Sequence, residues 1–127
     1  MPPLKAMKAP PEKIAAYERL LRSVPEIDEK SNFGSAYTAL NGNMYSLISK
    51  YGVVGIRLPE ADRREFLERY HAEIFRGDPA WPPSKEYVAV PDAMLEDTAA
   101  LTPWLERSLA YVRTLRPKPT TKPKKKA

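Results

Sequence analysis

The chain of 127 residues contains no cysteine. Disulfide scaffolds and thiolate metal sites are therefore excluded, and the absence fits a reducing compartment. Only one histidine is present, His71, so His-paired metal sites and most His-dependent triads lack the parts they need. Glycine is scarce, at 5 residues. No Gly-x-x-x-x-Gly-Lys-Ser/Thr phosphate loop and no Gly-x-Ser-x-Gly nucleophile turn occurs. No apolar run approaches the roughly 20 residues that span a bilayer. The opening Met-Pro-Pro-Leu-Lys-Ala-Met-Lys has no apolar signal stretch. A cytoplasmic protein without a membrane segment is the expectation.

Proline, in contrast, is plentiful, with 14 residues, and it punctuates the chain. The apolar share of 43% supports one core, and the length fits one domain. The net charge of +5 is unevenly placed. Residues 116–127 carry six positive charges (Arg116, Lys118, Lys122, Lys124, Lys125, Lys126) and no acid, leaving 15 basic and 16 acidic residues before them, a net of −1. The basic pI therefore belongs to the C-terminal segment and not to the body of the domain.

Hydrophobic periodicity divides the rest. An irregular arm is expected over 1–10. Ile14, Tyr17, Leu20, Leu21 and Val24 recur at helical spacing, and Pro25 ends the pattern, which predicts a helix over 11–23. An extended segment follows over 31–40. Asn41-Gly42 suits a two-residue hairpin turn into a strand over 43–49. A third strand over 53–58 places Val54, Ile56 and Leu58 on one face and Gly55 and Arg57 on the other. Pro59, with Glu60 and Asp62 behind it, opens a helix over 59–70 whose buried edge is Phe66, Leu67 and Tyr70. A short strand is expected near 73–75 and another over 87–90. A turn is expected at 92–97. The last helix is placed over 102–115, with Thr102 as N-cap and Pro103 at the first helical position. Leu101, Trp104, Leu105, Leu109, Val112 and Leu115 supply its apolar stripe. Residues 117–127 lack apolar side chains except Ala127 and are expected to stay disordered. The order α-β-β-β-α-(β)-β-α predicts an α+β domain over 11–116, an antiparallel sheet with helices mainly on one face.

Several short segments, taken together, resemble a known family. They are Lys30-Ser-Asn-Phe-Gly34, Leu40-Asn-Gly-Asn-Met44, Ile56-Arg-Leu-Pro-Glu-Ala-Asp62, Lys85-Glu-Tyr-Val-Ala-Val-Pro91 and Trp104-Leu-Glu-Arg-Ser-Leu-Ala-Tyr111. In this order and spacing they resemble the N-terminal domain of the TfoX/Sxy family of bacterial competence regulators, over roughly residues 12–118. The resemblance implies a small α+β module and no chemistry. The family usually has methionine before its Phe-Gly pair, where this chain has Asn32. Full-length regulators of that family carry a second, helical domain, where this chain has a lysine-rich segment.

The residues themselves suggest no catalytic, cofactor or metal site. His71 lacks partners at ligand spacing and reads as a surface or partly buried histidine. Gly52-Val-Val-Gly55 has the spacing of an RNA-clamping Gly-x-x-Gly loop, but its valines feed a core strand, so a turn is the better reading. Asp62, Glu65, Glu68, Arg63, Arg64 and Arg69 read as a solvated helix face with i,i+4 pairs. Two residues suggest partner contacts. Arg57 points off the core face of its strand, and Trp81 sits in a loop with Pro79, Pro82 and Pro83. The lysines at 118, 122, 124, 125 and 126 could neutralise phosphates; five such contacts to DNA would make affinity fall roughly a few hundredfold between 50 and 200 mM salt. The expectation is a non-enzymatic interaction or regulatory domain, acting on a protein partner or as a homodimer. The alternative is an accessory nucleic-acid-associated protein that uses its basic tail.

Overall fold

The computed structural model describes residues 10–24, 37–40, 43–49, 51–77, 80 and 82–116. Most of the expected arm, the start of the first strand, the Asn41-Gly42 turn, Trp81 and the segment 117–127 lie outside them.

Helix α1 spans Pro11–Arg22, with proline in its first turn. It buries Ala16, Tyr17, Leu20 and Leu21 along one stripe, and Val24 follows into the core. Strands β1 (Tyr37–Leu40), β2 (Asn43–Ile48), β3 (Val54–Arg57) and β4 (Tyr87–Ala89) form one antiparallel sheet in sequential order. Leu40 opposes Asn43, as a two-residue connection requires. The third strand alternates as its pattern predicts, with Val54, Ile56 and Leu58 fully buried. Helix α2 (Glu60–Arg69) buries Phe66, while Leu67 and Tyr70 pack partly buried against the core. The fold is α+β, as the periodicity implied.

Three boundaries differ from expectation. The short strand near 73–75 is reduced to a single bridge, Ile74 to Val88, although Phe75 N–H donates to the Tyr87 carbonyl and Ala89 N–H to that of Glu73. The turn at 92–97 contains a four-residue helix, α3 (Asp92–Leu95), which buries Met94 and Leu95. The last helix, α4, runs Thr98–Arg113 and so starts a full turn early. Asp97 caps it by accepting from Ala100 N–H, and Pro103 lies inside it. Proline there forfeits the bond to the Ala99 carbonyl. Pro103 and Ala99 are both exposed, so that carbonyl sits beside water. The Thr102 hydroxyl is bonded to the Thr98 carbonyl and to Ser23 at the C-terminal end of α1, and does not cap.

The core lies between the sheet and α1, α2 and α4. Ile48, Val54, Ile56, Val88 and Val90 meet Leu101, Trp104, Leu105, Leu109 and Val112 there. The opposite side of β3 is covered locally by Phe75. Its ring lies so close to Gly55 that a Cβ at that position would stand 2.8 Å from Phe75 Cδ1 and 2.9 Å from Leu47 Cδ2. Gly52 answers a different need. It turns the chain at φ +83°, and a Cβ there would meet Lys13 Cγ at 2.9 Å. The Gly-x-x-Gly spacing thus serves a turn and a close packing contact.

His71 follows α2 with φ 52°, the left-handed region where glycine is usual. Ala72 N–H donates to the Leu67 carbonyl, which closes a Schellman-type end around it. An L side chain there costs roughly 1–2 kcal/mol, partly offset by the greater freedom of glycine in the unfolded chain. His71→Gly is therefore expected to stabilise the domain by about 0.5–1 kcal/mol, read as a higher urea midpoint at unchanged slope.

Candidate functional site

Three strand ends and one helix terminus converge at a single end of the sheet. β2 begins there, β3 ends, β4 begins and α4 finishes. A bulge shapes this corner. Thr38 pairs with Ser46 and Ala39 with Met44, which leaves Tyr45 as an extra residue on β2. Tyr45 turns into the core, and its carbonyl accepts from the buried Ser108 hydroxyl on α4 at 3.1 Å. The β2–β3 ladder runs from Ser46 opposite Ile56 to Ile48 opposite Val54, so the Met44 carbonyl lies beyond it. Side chains satisfy that carbonyl instead: Arg57 Nη1 donates at 3.2 Å and the Tyr87 hydroxyl at 3.0 Å.

Arg57 is the centre of the arrangement. Its Nε donates to Glu86 Oε1 at 2.7 Å, and its side chain is 17% exposed. The guanidinium carbon lies 6.0 Å from the centroid of the Tyr87 ring and 5.7 Å from that of Tyr111. Both distances are within the range of cation–π attraction. Burial raises the pKa of the Tyr87 hydroxyl above the ordinary value, with Arg57 opposing the rise, so the group is neutral and able to donate near neutral pH. Met44, Tyr87, Glu86 and Tyr111 are all half-buried. They form a patch around Arg57 that still reaches solvent. Beside it, Asn43 Nδ2 donates to the Arg116 carbonyl at 3.1 Å. The chain therefore passes into its lysine-rich segment from this same corner.

Other candidate groups are placed differently. His71 is exposed beside a cleft of about 240 Å³ that also involves Glu73 and Pro91. Among the described residues no group of three or more His, Cys, Asp or Glu is arranged to hold a metal ion. No helix of the described residues is long and apolar enough to cross a membrane. On α2, Glu60–Arg64 and Glu65–Arg69 are i,i+4 pairs, but Asp62 and Glu65 also face Arg107 of α4, and Arg63 turns back to the Leu58 carbonyl. Trp81 and the lysines at 118, 122, 124, 125 and 126 lie outside the described residues.

A family model, described as the TfoX N-terminal domain, matches residues 19–112. The chain belongs to the TfoX N-terminal domain family. The match begins inside α1 and ends in the last turn of α4, so it covers the whole sheet and the corner built around Arg57. No curated protein and no solved structure gives a significant match. Within this TfoX N-terminal domain, Arg57 stands out by its place on the third strand alone. Glu86, Tyr87 and Tyr111 do not, because they are distant in the chain and each has an ordinary place in a strand end or helix. The one available signal was that Glu86 and Tyr87 lie in one of the resembling segments and Tyr111 in another.

Proposed function

We propose that this protein is a non-enzymatic interaction or regulatory domain, acting by protein–protein contact as a homodimer or with another protein, through the corner of the sheet around Arg57. The observation that carries this reading is the patch itself. Arginine, tyrosine and methionine are enriched at interfaces, and here Arg57, Tyr87, Tyr111 and Met44 lie half-buried at one corner, where hydrogen bonds fix the Arg57 and Tyr87 side chains. Pre-ordered side chains lose little entropy on binding. Trp81 belongs to the same proposal as a contact residue. Lack of cysteine fits work in a reducing bacterial cytoplasm.

Sedimentation velocity over a wide concentration range tests the reading. A concentration-dependent dimer is expected, and Tyr111→Ala should weaken it at least tenfold, the effect of a contact worth about 1.4 kcal/mol. A clean monomer at every concentration, with no protein retained on an affinity column from its own cells, would overturn it.

A second reading is an accessory nucleic-acid-associated role through Lys118, Lys122, Lys124, Lys125 and Lys126. The bond from Asn43 to the Arg116 carbonyl favours it, because that bond ties the start of the basic segment to the folded domain. Binding carried by these lysines alone should fall steeply with salt and show no sequence preference.

A further inference from the structure

The Arg57–Glu86 pair uses only part of what its two side chains offer. The guanidinium donates through Nε to Glu86 Oε1 and through Nη1 to the Met44 carbonyl, and Nη2 takes part in none of the hydrogen bonds among the described residues. No buried side-chain nitrogen or oxygen among the described residues lacks a partner, so Nη2 reaches solvent. Glu86 stands in the same position. Its Oε1 is engaged by Arg57, its Oε2 is in none of the described bonds, and its side chain is 43% exposed.

An available donor and an available acceptor therefore stand side by side at this corner, and that restricts what can dock there. A purely acidic surface would bring like charge against Glu86, and a purely basic one against Arg57; like charges across an interface reject a partner. The partner must carry both signs with the same spacing. The same corner of a second copy does so. In a two-fold contact residue i meets residue j while j meets i, so one pair of residues supplies both halves. Other cations surround the corner. Lys85 precedes Glu86, Arg113 acts on the Tyr45 hydroxyl at the bulge, and Arg116 is held to Asn43 through its carbonyl; all three are exposed. They repel their own copies across the axis, but at about 0.15 M salt exposed charges more than roughly 8 Å apart are largely screened, whereas a half-buried pair is screened much less.

We infer that two copies of this chain join at this corner about a two-fold axis, with Arg57 Nη2 of each copy donating to Glu86 Oε2 of the partner subunit. The inference rests on the protein-contact reading above and names the partner. The two internal pairs become one closed ring of two arginines and two glutamates, without net charge. Hydrogen bonds between ionised partners are the strong ones, and here the guanidinium is already oriented by Glu86 Oε1 and the Met44 carbonyl before the second copy arrives. The rings of Tyr87 and Tyr111 flank that guanidinium and supply the apolar surround that keeps water from such a contact.

Sedimentation velocity of charge-reversed full chains at about 0.15 M salt tests this. Arg57→Glu leaves the corner with two acids, and Glu86→Lys leaves it with two bases. Each variant alone should dimerise roughly a hundredfold or more weakly than wild type, since both contacts across the axis become repulsive. A 1:1 mixture of the two, one of them fluorescently labelled, should recover a dimer that contains both chains, because acid then faces base at each contact. Thermal melts check that each variant folds. The lack of native cysteine allows a second measurement that leaves the pair intact. Lys85→Cys, beside Glu86, should cross-link to its own copy through a short bismaleimide, and Glu12→Cys should not. Glu12 is exposed next to Lys13, whose side chain packs on the Gly52 turn at the other end of the sheet. If a charge variant fails to fold, the cross-link decides. Variants that dimerise as wild type does, or equal cross-linking at both cysteine positions, would place the dimer contact elsewhere and overturn the inference while the protein-contact reading stands. A folded mixture that does not associate would overturn it as well. A wild type that stays monomeric at every concentration also overturns it; a protein retained from its own cells would then keep the wider reading for a different partner, and none retained would end both.

Discussion

Trp104→Ala should destabilise the domain by about 3–5 kcal/mol, the range for truncating a large aromatic in a packed core. Trp104 is 3% exposed and joins α4 to α2, two of the helices that cover the sheet. Phe66 of α2 meets it edge-on, with centroids 5.1 Å apart at 88°, and Tyr70 meets it at 6.0 Å and 82°. Phe66 and Tyr70 also contact each other at 4.9 Å, so the three rings form a closed cluster. The indole N–H donates to the Tyr70 hydroxyl at 3.3 Å. Arg107 lies 4.3 Å from the indole centroid while facing Asp62 and Glu65, which closes the cluster from the solvent side. Removing the indole leaves a cavity between α2 and α4, strips the Tyr70 hydroxyl of its donor and takes the ring from beneath Arg107. Against a total stability of roughly 5–15 kcal/mol, that loss is severe. Thermal unfolding followed by far-ultraviolet circular dichroism should show a midpoint on the order of 15 °C lower. Trp104→Phe should recover most of it, because the ring packing returns while the hydrogen bond does not. A melting point within a few degrees of wild type for the alanine variant would mean that α2 is not anchored to α4 through this ring.

The same residues show which parts of the structure were readable from the sequence. Trp104 was placed in the core by its helical spacing, and α1 was bounded to within a residue at its end, because an apolar stripe between prolines leaves little freedom. The start of α4 was misplaced for a definite reason. Pro103 fits best at the first helical position, but Asp97 offers a working cap, and a proline on the exposed face forfeits only a carbonyl that water can reach. The corner around Arg57 was not readable. It depends on the Met44 carbonyl lying past the end of the β2–β3 ladder, beside a one-residue bulge at Tyr45, and no hydrophobic pattern announces either. Polar residues inside the core were equally hidden. Thr38, Ser46 and Ser108 are fully buried, yet a reading based on hydropathy assigns such residues to the surface.

That buried polar group gives the second large effect, an alkaline loss of stability that should vanish in Tyr17→Phe. The Tyr17 side chain is fully buried and its hydroxyl lies 2.8 Å from Ser46 Oγ, which in turn lies 2.6 Å from Thr38 Oγ1. This chain of hydroxyls ties α1 to β2 and β1 through the interior. Burial pushes the pKa of Tyr17 far above its ordinary value of 10.0, and the hydrogen bonds from Ser46 and Thr38 offset only part of the rise. The folded state therefore holds its proton more tightly than the unfolded chain does. The resulting stability is fully present below pH 10 and is lost as pH climbs from there toward the raised folded value. Between pH 9 and 11 the loss from this one group is about 1.4 kcal/mol, and a further unit of pH adds about as much again. In Tyr17→Phe the linkage is gone, though the variant forfeits a hydrogen bond worth roughly 1 kcal/mol. Urea unfolding at the two pH values should thus find wild type the more stable at pH 9 and the variant equal or better at pH 11. Lysine titration affects both proteins alike and cancels in the difference. A difference that stays constant from pH 9 to 11 would mean that Tyr17 ionises in the folded protein as easily as in water, and that the hydroxyl chain between α1 and the sheet is open to solvent.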